Sequence, residues 1–166
     1  MIYYYCKLKQ QLLVARNFFD NHEYQEALEV CHKMLDNGIR GYSLLYLTAA
    51  CCIQLNRLED AKEFLHQASI DKPISEKVWL DIGRVCSRLL AFDEGLEAYR
   101  NALQINPQSS TAFNGLAVIL AQSGDINLSV QHIETAYQLE PENISIQSNR
   151  TKIVRIWNIQ NRETKS

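Results

Sequence analysis

The chain has 166 residues, 46% apolar and 22% charged, which is enough to bury a core and too apolar for disorder by composition. Its formal charge of −2 and pI of about 6.1 lack the basic footprint of a nucleic-acid binder. Only three prolines and six glycines punctuate it, which favours long helices over many short strands.

In chain order, apolar periodicity predicts a helix near residues 4–20 and a second near 24–36, separated by Asp20-Asn21-His22. A second pair follows near 42–55 and 58–70, after Asn37-Gly38 and around Asn56-Arg57. A third pair is expected near 75–90 and 92–104, and a fourth near 110–123 and 126–139 with Ser123-Gly124-Asp125 between its helices. Ser75 and Ser109-Ser110 stand where N-caps belong. Residues 144–160 keep helical spacing through Ile146, Ile153, Ile156 and Trp157, which predicts a helix that covers the last pair and turns a polar face to water.

The three prolines fall at 73, 107 and 141, each 34 residues from the next. Ala68, Ala102 and Ala136 keep that step, as do the large residues Leu65, Tyr99 and Ile133. Small residues recur as Ala61, Gly95 and Ser129 and as Ala49, Gly83 and Ala117. A fainter first copy runs through Val14, Ala15, Phe18, Ala27, Cys31 and Met34, and ends at Ile39 between Gly38 and Gly41. Small residues let paired helices approach closely, large ones fill the space between pairs, and proline ends each second helix.

This pattern resembles the tetratricopeptide repeat (TPR) over roughly residues 8–141, with Trp79, Ile82, Gly83, Cys86, Gly95, Tyr99, Ala102 and Pro107 as its best copy. The resemblance implies an all-α, right-handed solenoid of about four helix pairs, forming one domain over 1–166 with repeats at about 8–41, 42–75, 76–109 and 110–143 and a capping helix at about 144–160. It implies a protein–protein interaction scaffold that binds a partner peptide or helix in a concave groove lined by the first helices. The groove positions are then Lys9, Leu12 and Arg16; Tyr46 and Ala50; Lys77, Leu80, Arg84 and Arg88; and Asn114 and Val118, with Asp81 beside them. Their mixture suits an extended peptide or short helix carrying some acidic residues, with Asn114 placed to hold a backbone amide. The clamp with which some TPR domains grip a chaperone C-terminal carboxylate is not expected. Its positions hold Leu12, Arg16, Leu47, Lys77 and Asp81, and only Lys77 fits.

The segment Ala112-Phe113-Asn114-Gly115-Leu116-Ala117-Val118, with Asn149 later, is similar to TPR proteins of bacterial tight-adherence pilus assembly. Size and repeat content also resemble class II type III secretion chaperones. A self-assembling structural protein is the further alternative, with Tyr3–Tyr5 and the apolar edge of the first helix as a homodimer contact.

No catalytic, nucleotide-binding or metal motif occurs, so neither an enzyme nor a cofactor is expected. The four histidines lie far apart, and the five cysteines form no CxxC pair and fall mostly on apolar helical positions. The odd cysteine count points to a reducing, cytoplasmic setting; the alternative is the periplasm or the inner face of the outer membrane if an export signal was removed. No run is long enough for a membrane span. Asn127, Asn143 and Asn149 match glycosylation triplets, which matter only in a secreted eukaryotic chain. From Arg150 onward five basic residues stand against Glu163, a balance of +4 that leaves −6 for residues 1–149. This reads as a solvated helix end that complements its dipole; the alternative is docking onto an acidic partner or membrane surface.

Overall fold

The computed structural model describes the backbone of residues 2–163 and the side chains of residues 8–162. Among them lie nine helices and no strand: α1 (Ile2–Asp20), α2 (Tyr24–Asp36), α3 (Tyr42–Gln54), α4 (Leu58–Asp71), α5 (Glu76–Arg88), α6 (Phe92–Ile105), α7 (Ser110–Ser123), α8 (Ile126–Leu139) and α9 (Ile144–Glu163). The chain divides into two compact units, one ending at Ile74 and one beginning at Ser75. The first holds the hairpins α1–α2 and α3–α4; the second holds α5–α6, α7–α8 and α9. The side chains of Tyr3–Tyr5, expected as a dimer contact, lie outside the described residues.

Each hairpin turns through one left-handed residue: His22 (φ 66°), Asn56 (φ 59°), Leu90 (φ 59°) and Gly124 (φ 96°), again 34 apart. At the first three, the next backbone N–H reaches back across the helix end. Glu23 donates to the Phe18 carbonyl at 2.9 Å, Arg57 to Cys52 at 2.8 Å and Ala91 to Cys86 at 2.9 Å. This satisfies a carbonyl that the helix end would otherwise leave bare, while the left-handed residue reverses the chain.

The second helices end differently. Lys72, Asn106 and Glu140 donate to the carbonyls of Ala68, Ala102 and Ala136 at 3.1, 2.8 and 3.0 Å, then leave helical geometry with ψ of 74°, 93° and 75°. Each precedes a proline, whose ring disfavours α geometry in the residue before it. The first pair has no proline; left-handed Gly38 ends α2, with Ile39 N–H on the Met34 carbonyl at 3.1 Å, and Gly41 (φ 144°) opens α3.

In the first unit, fully buried Ala15, Ala27, Ala49 and Ala61 sit where helices approach closely, and Leu28, Cys31, Cys51, Cys52 and Leu65 fill the space between them. Each large side chain so buried stabilises by about 1.5–3 kcal/mol. Thr48 joins this core because its hydroxyl donates to the Leu44 carbonyl one turn back, at 2.8 Å. Burial pushes the Cys52 thiol up to about 11, so it is a packing residue and not a thiolate.

In the second unit, Tyr99 of α6 is the central side chain. It packs with Ala102, Ala112, Leu116, Ile119 and Leu120, flanked by Trp79, Leu80 and Phe113. Its ring lies over two glycines. A Cβ added to Gly83 would meet it at 2.6 Å, and one added to Gly115 would overlap it as well. Burial raises the Tyr99 phenol well above its ordinary pKa. A second cluster joins Ala117, Ile133, Ala136, Ile146 and Ile153, which seats α9 on the α7–α8 hairpin.

The caps differ in part from expectation. Ser109 Oγ accepts from the Ala112 N–H at 3.2 Å, but Ser75, although it occupies the N-cap of α5, makes no side-chain capping bond. Asp125 and Asn143 cap α8 and α9 instead, accepting from the backbone N–H groups of Leu128 at 3.2 Å and Ile146 at 3.3 Å.

Leu90 is an exposed leucine in a conformation that costs a residue with a Cβ about 1–2 kcal/mol. Leu90→Gly should raise the unfolding free energy by about 0.5–1 kcal/mol in urea titrations, because glycine adopts this backbone without strain. An unchanged or lowered midpoint would show that the leucine side chain contributes more than its backbone strain removes.

Candidate peptide-binding faces

On α1, Lys9, Leu12 and Arg16 follow one another at helical spacing, Lys9 and Arg16 exposed and Leu12 half-buried. Lys9 and Leu12 open into a cleft of about 360 Å³ shared with Met34, Ile39, Tyr42 and Ser43; Arg16 lies outside its lining. Tyr46 and Ala50 are half-buried on α3. Tyr46 stacks on Tyr42 with ring centroids 5.7 Å apart, and the Lys72 ammonium sits 5.1 Å from the Tyr42 ring centroid. Tyr42 and Lys72 were not expected in this site. Tyr42 is the first residue of α3, and only the fold brings Lys72 from the end of α4 above it. Arg40, also in the cleft, donates to the Leu35 and Ile39 carbonyls at 2.6 and 2.9 Å, which steadies the end of α2.

In the second unit the first helices lie side by side. Ser87 Oγ of α5 donates to Gln122 Oε1 of α7 at 2.9 Å, and Asn149 Nδ2 of α9 donates to Asn114 Oδ1 of α7 at 3.0 Å. Lys77, Arg84 and Arg88 are exposed along α5, Leu80 packs partly against the Tyr99 cluster, and Asn114 and Val118 of α7 are half-buried. Two expectations change. Asp81, read as part of the open face, is only 8% exposed, and its carboxylate binds the Arg84 guanidinium. Arg84 therefore serves its own helix before any guest. Asn114, read as a holder of backbone amides, already accepts from Asn149.

Of the positions that a carboxylate clamp would use, Leu47 is packed in the first unit's core and Asp81 is only 8% exposed. Among the described residues, no three His, Cys, Asp or Glu side chains gather as metal ligands, and no helix is long and apolar enough to cross a membrane.

No family model matches the chain. Its sequence is 20% identical over 130 residues to the bovine (Bos taurus) BBSome complex member BBS4, covering 78% of this chain and 25% of that protein. It is 31% identical over 69 residues to the fission-yeast (Schizosaccharomyces pombe) general transcriptional corepressor ssn6, covering 42% of this chain and 6% of that protein. The chain thus spans a quarter or less of these curated relatives. Among solved structures it is similar to YrrB, a TPR protein with an unusual peptide-binding site, with a TM-score of 0.80 and 17% identity over 82% of this chain and 71% of that one. MamA matches with a TM-score of 0.77 and 14% identity over 90% and 87% of the two chains. The first TPR of Spaghetti (RPAP3), bound to the HSP90 peptide SRMEEVD, matches with a TM-score of 0.66 and 14% identity over 70% and 93%. The chain has the all-α fold of the tetratricopeptide-repeat proteins.

His132 of α8 stacks on Phe113 of α7, ring centroids 5.9 Å apart. Burial, with the Arg100 charge adding to it, holds its pKa below the ordinary 6.5. A depressed folded pKa means that the unfolded chain binds more protons over that window. Stability is then full above 6.5 and falls as pH drops through the folded value. His132→Gln should flatten the pH dependence of the urea midpoint between about pH 7 and 5 relative to the parent chain. Parallel curves for the two proteins would refute this role of His132.

Proposed function

We propose that the chain is a protein-interaction scaffold whose first helices hold a segment of a partner polypeptide. The observation that carries this reading is the surface of α5 and α7. Half-buried Leu80 and Val118 lie among the exposed cations Lys77, Arg84 and Arg88, on helices whose other faces are committed to the core. Apolar contact supplies affinity for such a segment, and the cations favour acidic residues in it. Two proteins of the same fold, YrrB and the RPAP3 TPR, are peptide binders, which supports the class of partner. Binding, not catalysis, is the activity that fits this surface.

The guest is an internal segment and not a C-terminal carboxylate, because the clamp positions Leu47 and Asp81 are occupied by buried groups. A finer assignment to pilus assembly or secretion rests on the short Ala112–Val118 motif and on chain size. In that motif Gly115 makes room for Tyr99 and Asn114 bonds to Asn149, so packing accounts for its distinctive residues. Self-assembly is the second reading; Leu13 and Val14 of α1 are 57% and 45% exposed. Light scattering that shows a monomer at high concentration would remove it.

The test is selection of binders from a displayed random peptide library, followed by titration of the winners. Lys77→Glu with Arg88→Glu should weaken them at least about tenfold, roughly 1.4 kcal/mol, while helical circular dichroism stays unchanged. Arg84 is left intact because it binds the buried Asp81 carboxylate. Amidating the peptide C-terminus should make no difference, and SRMEEVD should not bind. Winners indifferent to both substitutions would contradict the site, and tight binding of SRMEEVD would contradict the absence of a clamp.

A further inference from the structure

The 34-residue register carries beyond the fourth hairpin. Leu116, Ala117 and Leu120 of α7 correspond to Arg150, Thr151 and Val154 of α9. On α7 these positions are buried, and α8 helps to cover them: Ala117 packs with Ile133, and its carbonyl accepts the Ser129 hydroxyl at 2.6 Å. On α9, no helix among the described residues covers the same face. That face of α9 is made by Arg150, Thr151, Val154, Arg155, Ile159 and Arg162 among others. The other face of α9 is used, with Ile146 and Ile153 buried and Trp157 Nε1 donating to Asn127 Oδ1 at 3.0 Å.

The charge of this face is specific. Arg150 is held by Glu134 at 2.9 and 3.0 Å and lies over the Tyr137 ring, 4.5 Å from its centroid. Among the described residues no carboxylate pairs with Arg155 or Arg162. The open face is therefore an apolar strip, Val154 and Ile159, bordered by two cations that have no ionic partner among the described residues.

We propose that this face of α9 docks one amphipathic helix of a partner protein, its apolar stripe on Val154 and Ile159 and its acidic side chains opposite Arg155 and Arg162. The helix takes the place on α9 that α8 holds on α7, so the repeat's own packing prescribes the occupant's secondary structure and the arginines prescribe its charge. A second copy does not satisfy the face through α9 itself, since like charges would meet. A nucleic acid would find two cations and an apolar floor in place of a basic stripe.

The probe is a labelled synthetic helix of about 18 residues with a leucine stripe flanked by glutamates, compared by fluorescence anisotropy with its lysine counterpart and with a single-stranded oligonucleotide. The glutamate helix should bind, more weakly at high salt, and Arg155→Glu with Arg162→Glu should reduce its affinity at least about tenfold. Arg155→Gln with Arg162→Gln is the milder pair should the reversal disturb α9, as judged by circular dichroism. Lys77→Glu with Arg88→Glu on α5 should leave this binding unchanged, which separates the α9 face from the peptide-binding face above. The proposal is overturned by any of three results: no preference for the glutamate helix over the other two probes; loss of binding through the α5 pair and not the α9 pair; or a concentration-dependent dimer that the α9 substitutions dissociate.

Discussion

Helices can pair this closely only where one of them gives up its side chain. In the second unit that concession is made at Gly83 and Gly115, and the Tyr99 ring occupies both vacated places. Gly95 makes a like concession to Ile119, against whose side chain an added Cβ would lie at 2.5 Å. Glycine inside a helix costs about 0.5–1 kcal/mol relative to alanine, so three of them are a sacrifice that packing has to offset. It does so by seating a large aromatic ring where α5, α6 and α7 meet. The first unit reaches the same end with alanines and cysteines, small enough for close approach and better suited to helices.

That packing decides which residues are left for function. Once one face of α5 and α7 is committed to Tyr99 and its neighbours, the remaining face carries Lys77, Arg84 and Arg88 into solvent and leaves Asn114 and Val118 half-buried. The same logic makes α9 unusual. Its buried face is filled by Ile146 and Ile153, while the positions that α8 helps to cover on α7 hold arginine, threonine and valine. Side chains that would be costly to bury under a second helix are instead suited to an exchangeable one.

The helices and their order were legible in the sequence because the 34-residue step repeats both the small positions and the proline stops, and each copy supports the others. The turns were only partly legible. Gly124 and Asn56 announce a left-handed residue by their chemistry, whereas Leu90 takes the same backbone without any such sign, and only the shared register betrays it. The open faces were legible as faces but not as chemistry. Asp81 lies between Leu80 and Ile82 and is only 8% exposed, while Lys77 and Arg84 one turn to either side are exposed, a difference that spacing alone does not give. The Asn114–Asn149 bond and the Lys72–Tyr42 contact join residues 35 and 30 positions apart, beyond the reach of helix periodicity. Ser75 stands at the N-cap as its residue type suggested but makes no side-chain capping bond, because a suitable residue type does not by itself place its hydroxyl over the helix end.

A double-mutant cycle between Gly115→Ala and Tyr99→Leu, read by urea unfolding, tests the central claim most directly. If the ring over the glycines sets the helix spacing, Gly115→Ala should destabilise the parent chain by about 1–3 kcal/mol, the usual penalty of overpacking. In the Tyr99→Leu background most of that loss should vanish, giving a coupling of at least about 1 kcal/mol. Additive effects, with Gly115→Ala equally harmful whether or not the ring is present, would mean that something other than Tyr99 holds these helices at their distance.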